Sequence, residues 1–76
     1  MTRKIGNEVK VSSDNDNECY DSFRDKTLVI THIAHNQAQH PGYDDSMEGM
    51  PLYDFEDYKT GEPIPCSLYE YEIEGV

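Results

Sequence analysis

Residues 63–73 read PIPCSLYEYEI. From Ser67 onward the segment alternates: Ser67, Tyr69, Tyr71 and Ile73 on one side, Leu68, Glu70, Glu72 and Glu74 on the other. Successive side chains of a strand point to opposite faces, so this pattern predicts an aromatic, apolar face backed by a row of carboxylates. Leu68 breaks the pattern beside Pro65 and fits a short turn, which leaves Tyr69–Glu74 as the final strand.

Working back from that strand, residues 51–57 give Tyr53 and Phe55 on one face and Leu52, Asp54 and Glu56 on the other, a third strand. Tyr58–Glu62, YKTGE, supplies a hairpin turn with Gly61 at the positive-φ position. Pro63–Cys66 starts the return, its two prolines confined to an edge or a bulge because they have no N–H to donate. Thr27–Ala34, TLVITHIA, is the most β-prone run, and its successive apolar residues predict a central strand buried on both faces. Glu8–Ser12 reads as a half-buried first strand with Val9 and Val11 inward. Ser13–Glu18, SDNDNE, is a loop, and Tyr20 and Phe23, three apart, suit one helical turn or an ordered loop folded over the barrel end. Between the second and third strands lies His35–Met50, a loop of about fifteen residues, longer than compact domains usually carry. Within it His40-Pro41-Gly42 predicts a turn with Pro fixing one φ and Gly taking a positive one.

The expectation is a single domain over residues 1–76, all-β, a small barrel of about five strands with a long loop between the second and third. The pieces that carry a resemblance are Gly6-Asn7-Glu8-Val9-Lys10-Val11, the polar loop, Phe23–Lys26 leading into Leu28–Ile33, the 52–56 and 63–66 hairpin and the last strand. In this order they resemble the SH3-like barrel of the KOW and translation-protein type, which implies that fold. The basic face that many such domains turn to nucleic acid has no counterpart here. The short, acidic, tyrosine-rich chain also resembles small phage-encoded accessory proteins, which implies an inhibitor that binds a host protein.

Charge separates the function classes. Of a formal net charge of −10, residues 1–39 carry −1 and residues 40–76 carry −9, with Lys59 the one basic residue of that second part. Such a field repels nucleic acid and anionic membranes and attracts basic surfaces, so neither direct nucleic-acid nor membrane binding is expected. The opening MTRKIGNEVK has no apolar stretch behind its basic residues, so no export signal is read and a cytoplasmic protein with reduced Cys19 and Cys66 is expected.

Chemistry-bearing constellations are few. His32, His35 and His40 with Asp44 and Asp45 have the right donors for a metal, but their spacing matches no metal motif, so a metal protein is the second alternative. Asp44, Asp45, Glu48, Asp54, Glu56 and Asp57 lack the spacing of a calcium loop, and the chain has little volume for a cleft that buries a substrate. No catalytic residue, metal ligand or cofactor is assigned. The acids themselves form the candidate site. Glu70, Glu72 and Glu74 on one strand face would lie roughly 6–7 Å apart, close to the phosphate spacing of a nucleic-acid strand. With Asp44, Asp45, Glu48, Asp54, Glu56 and Asp57, and with Tyr69 and Tyr71 as anchors, they predict a surface that docks on a basic protein, in the narrower reading as a nucleic-acid mimic that inhibits a DNA- or RNA-binding host protein. The first alternative is a structural or regulatory interaction module within a larger complex.

Overall fold

Val29, expected from the succession Leu28-Val29-Ile30 to be buried on a second face, is only half-buried, and Thr31 and His32 are exposed. The strand also carries a bulge. In the computed structural model, which describes residues 3–15, 18–47 and 49–76, β2 (Leu28–Ala34) pairs antiparallel with β3 (Leu52–Asp57) from Leu28 opposite Asp57 to Ala34 opposite Leu52. The register shifts between Ile30 and His32, leaving Thr31 as the extra residue and bending the strand. Leu28 and Ile30 before the bulge are fully buried in the main core, which Ile33 also touches. Ala34 after it is fully buried in a second cluster with Tyr43 and Leu52, so β2 is central and its two faces are covered by different clusters.

Around that pair the sheet has the order β4-β3-β2-β1-β5, all antiparallel, with β1 at Glu8–Val11, β4 at Leu68–Tyr69 and β5 at Ile73–Gly75. The expected first strand holds, with Val9 and Val11 inward. No ladder joins β4 to β5 among the described residues. One core lies against the sheet, made of Val9, Val11, Phe23, Leu28, Ile30, Tyr53, Phe55, Leu68 and Ile73. The helical turn expected near Tyr20 and Phe23 is a 3-10 helix at Glu18–Phe23, and the two rings meet at 5.8 Å.

The final segment departs most from expectation. It is not one strand. Leu68 and Tyr69 pair with Tyr53 and Leu52 of β3, Glu70–Glu72 form a 3-10 turn, and Ile73–Gly75 pair with β1 at the opposite edge of the sheet. Leu68 and Ile73 therefore both point into the core, while Tyr71 is 63% exposed. The turn is anchored on both sides: Glu70 N–H donates to the Pro51 carbonyl at 3.2 Å, and Ser12 N–H donates to the Glu72 carbonyl at 2.9 Å. The Glu72 carboxylate accepts the Tyr69 N–H at 2.9 Å, reaching back three residues to close the turn's start.

Three turns complete the frame. Gly61 takes φ +74° as its hairpin requires. The return after it is shorter than expected: Glu56 bridges Pro63, Ile64 N–H donates to the Phe55 carbonyl, and the ladder resumes only at Leu68. Gly42 is not at positive φ. Its value lies in its lack of a side chain, because a Cβ there would stand 3.1 Å from the His40 ring. The 35–51 connection folds around Tyr43, which is buried with Ala34 and Leu52 in a second cluster. The Tyr43 hydroxyl lies 2.5 and 2.6 Å from the Met47 and Met50 carbonyl oxygens and donates to one at a time.

Candidate partner-binding surface

The eleven residues expected to bind a partner divide once placed in the fold. Five carboxylates are committed inside the molecule. Glu70 accepts the Arg3 Nε–H at 2.9 Å. Glu72 accepts the Tyr20 hydroxyl at 3.0 Å as well as the Tyr69 N–H. Glu74 accepts the Ser13 N–H at 2.5 Å, which with the Ser13 side chain and Lys10 holds its carboxyl below the usual range. Asp57, buried at the end of β3, accepts the Lys59 N–H at 2.8 Å and the Lys26 ammonium at 3.1 Å, and both depress its pKa. Asp54 accepts the Ser67 hydroxyl.

The proposed row Glu70, Glu72, Glu74 does not exist as a strand face. A 3-10 turn repeats every three residues, so side chains two apart diverge. The phosphate-like spacing read from the alternation is corrected accordingly. Asp44 and Asp45 sit on the exposed side of the long loop, where Asp44 accepts the Ser46 N–H and hydroxyl at 2.9 and 2.8 Å and has its pKa lowered by them. Asp45 opens the 3-10 turn Asp45–Met47 and is exposed; Glu56 is half-buried; Glu48 lies outside the described residues.

The tyrosines are where the sequence reading gains. Tyr43, Tyr69 and Tyr71 form a ladder from core to surface. Tyr69 meets buried Tyr43 edge-on at 5.6 Å and stacks on Tyr71 at 6.3 Å with only 10° between the planes. Its hydroxyl accepts the Asp44 N–H at 2.8 Å, which fixes the middle ring. Beside the outer ring, Asp14, Asn15, Tyr71 and Glu72 line an open cleft of about 340 Å³. In the sequence Asp14 is only part of a polar loop. Its neighbourhood depends on Ser12 bonding to the Glu72 carbonyl, a long-range contact with no local sequence signal.

No family model, curated protein or solved structure matches this chain.

One further convergence was hidden in the sequence. His40 Nε2 lies 3.1 Å from the Ser67 hydroxyl and 3.3 Å from Asp54. These are the residue types of a nucleophile relay, but the wiring differs. A relay needs the carboxylate on one ring nitrogen and the serine on the other. Here both face Nε2, while Nδ1 accepts the Gly42 N–H at 3.0 Å. With its lone pair on Nδ1 so occupied, the ring clamps the long loop to β3. His32 and His35 are exposed and bond to Gln39 instead, so the three histidines are not brought together. Among the described residues, no group of three or more His, Cys, Asp or Glu could hold a metal ion. None of the described helices is long and apolar enough to cross a membrane.

Proposed function

We propose that this chain is a non-enzymatic protein-binding module, an SH3-like small barrel whose acidic surface docks on a basic face of a partner protein. The strand order β4-β3-β2-β1-β5 supports the barrel, with a 3-10 turn bonded to both the β3 and the β1 sides bridging the two edge strands. One observation carries the docking reading. Arg3, Lys10, Arg24 and Lys26, four of the six basic side chains, are paired with Glu70, Glu74, Asp21 and Asp57. Exposed Glu8, Asp14, Glu18, Asp25, Asp44, Asp45 and Glu62 are left with no ion-pair partner among the described residues. Crowded like charge destabilises a compact state, and a basic partner would relieve it.

The narrower reading, a nucleic-acid mimic of phage counter-defence type, keeps this charge and loses the regular carboxylate row. We retain it as one identity of the partner, a protein with a Lys/Arg groove, rather than as a geometric copy of a phosphate backbone. The alternative, an interaction module docking through apolar contacts, is favoured by the exposure of Ile5, Tyr58 and Val76.

The test uses the tagged chain to recover its partner, and then measures affinity across salt. Charge docking predicts at least a tenfold weakening from about 0.05 to about 0.3 M NaCl, with competition by DNA or RNA if the basic face is a nucleic-acid groove. The reversals Asp45→Lys and Glu62→Lys should weaken the complex while leaving the melting temperature near that of the parent, because neither side chain bonds to a described residue. Affinity indifferent to salt and to both reversals would exclude charge docking and leave the apolar alternative.

A further inference from the structure

The cleft between the Ser12–Asn15 loop and the Glu70–Glu72 turn has an unusual construction for so thin a core. Tyr71 is the outer rung of a fixed aromatic ladder, yet it is 63% exposed and contributes little to the interior. Its ring is held flat by Tyr69, which is itself held by Tyr43 and by the Asp44 N–H. A flat, pre-set aromatic surface with carboxylates at its edge matches one side chain well. The guanidinium of arginine is planar, stacks on aromatic faces and offers a fork of donors to carboxylates, whereas an ammonium is a compact, strongly hydrated point charge.

We propose that this cleft is an arginine-binding site, in which a partner's guanidinium lies on Tyr71 between Asp14 and Glu72. The inference rests on the proposed docking to a basic partner and names the contact that would give it specificity. Asp14 supplies an exposed carboxylate with no hydrogen bond or ion pair from a described residue, and its loop is pinned by Ser12 Oγ accepting the Asp14 N–H at 3.2 Å. Glu72 is held in place by Tyr20 and the Tyr69 N–H, and each of its oxygens keeps a lone pair for a further donor. Arg24 donates to the Asp21 carboxylate and to the Asn15 carbonyl and is not among the residues that line the cleft.

The experiment is an NMR titration of the labelled chain with three short peptides in which glycine alternates with arginine, lysine or citrulline. The arginine peptide should shift the amides of Asp14, Asn15 and Tyr71 and give contacts between arginine side-chain protons and the Tyr71 ring. The lysine peptide should bind several-fold more weakly and the citrulline peptide not at all. Tyr71→Ala should weaken the arginine peptide by about tenfold, a cation–π contact of roughly 1 kcal/mol or more, while Tyr71→Phe stays within about twofold. Unchanged amides of Val11 and Ile73 would show that the Tyr71 variants keep the fold. Equal affinity for arginine and lysine peptides, no loss in Tyr71→Ala, or shifts mapping to the Asp44–Asp45 loop would each overturn the arginine cleft while leaving basic-surface docking intact. Failure of both basic peptides to bind anywhere would overturn both readings.

Discussion

Asp57 stands at the junction of β3 and the hairpin turn, and its carboxylate joins three segments of chain. One oxygen accepts the Lys59 N–H and the other faces the Lys26 ammonium, and Tyr58 N–H reaches the Thr27 carbonyl beside them. These partners exist only in the fold, so the folded pKa is depressed below the ordinary 3.8, first by the Lys59 N–H and then by Lys26. The sign of the linkage follows. An acid with a lowered folded pKa contributes stability that is present above its unfolded value and is lost as pH falls through the folded one. The wild-type chain should therefore lose stability below pH about 4, as the unfolded carboxyl binds its proton first. Asp57→Asn should be less stable at pH 7 and should show a shallower acid loss. Melting curves collected between neutral pH and pH 3 check this, and parallel acid limbs in the two proteins would refute it. From sequence Asp57 looked like one more surface acid, because Lys26 is distant along the chain and only the β2–β3 register brings it near.

At the scale of elements, legibility tracks how local the determining contacts are. The Glu8–Val11 strand, the Leu28–Ala34 centre, the Leu52–Asp57 strand and the Gly61 turn each follow from a short pattern, and the chain forms all four, with a bulge in Leu28–Ala34 that the pattern does not show. The 67–74 segment defeats the same reasoning. Its alternation is real, but a continuous strand would leave Tyr71 beside Ile73 on the buried face. The chain instead crosses from the β3 side to the β1 side in three residues, and backbone bonds to Pro51 and Ser12, far away in sequence, reward that crossing. A local signal was present in Tyr69-x-x-Glu72, the spacing of a helix-start capping glutamate. The candidate site suffered in the same way, since a turn replaces the carboxylate row and assembles the tyrosine cleft. The long loop gives a test at this scale. Its order depends on Tyr43, whose hydroxyl serves the Met47 and Met50 carbonyls from the second apolar cluster. Tyr43→Phe keeps the ring but leaves those carbonyls short of a donor, a cost of about 1–2 kcal/mol. Hydrogen exchange should quicken at Met47 and Met50, whose amides bond within the loop, with little change at Leu28–Ile30. Exchange that stays unchanged in the loop would mean the hydroxyl does not hold it.

Across the whole molecule the governing quantity is charge. With six lysines and arginines for sixteen aspartates and glutamates, ten carboxylates have no lysine or arginine to pair with one-to-one, wherever the chain puts them. Salt acts on this arrangement in two opposing ways. It weakens ion pairs such as Lys10–Glu74, with nitrogen and oxygen 3.9 Å apart at a well-exposed site. It also screens the mutual repulsion of the unpaired acids. Exposed pairs contribute about 0–1 kcal/mol each, whereas the repulsion is summed over many carboxylates spread across one small surface. At about 0.1 M salt the screening length is near 10 Å, less than the span of the molecule, so most of the long-range repulsion is removed. Repulsion should win. Raising NaCl from about 0.01 to about 0.3 M should lift the melting temperature by several degrees, since a gain of roughly 1 kcal/mol shifts a domain of this size by about 4–8 °C. The increment should shrink in Asp45→Lys and Glu62→Lys, which lower the net charge without touching a bond among the described residues. A melting temperature that falls with salt would show that the ion pairs dominate, and the free protein would then have no electrostatic strain for a basic partner to relieve.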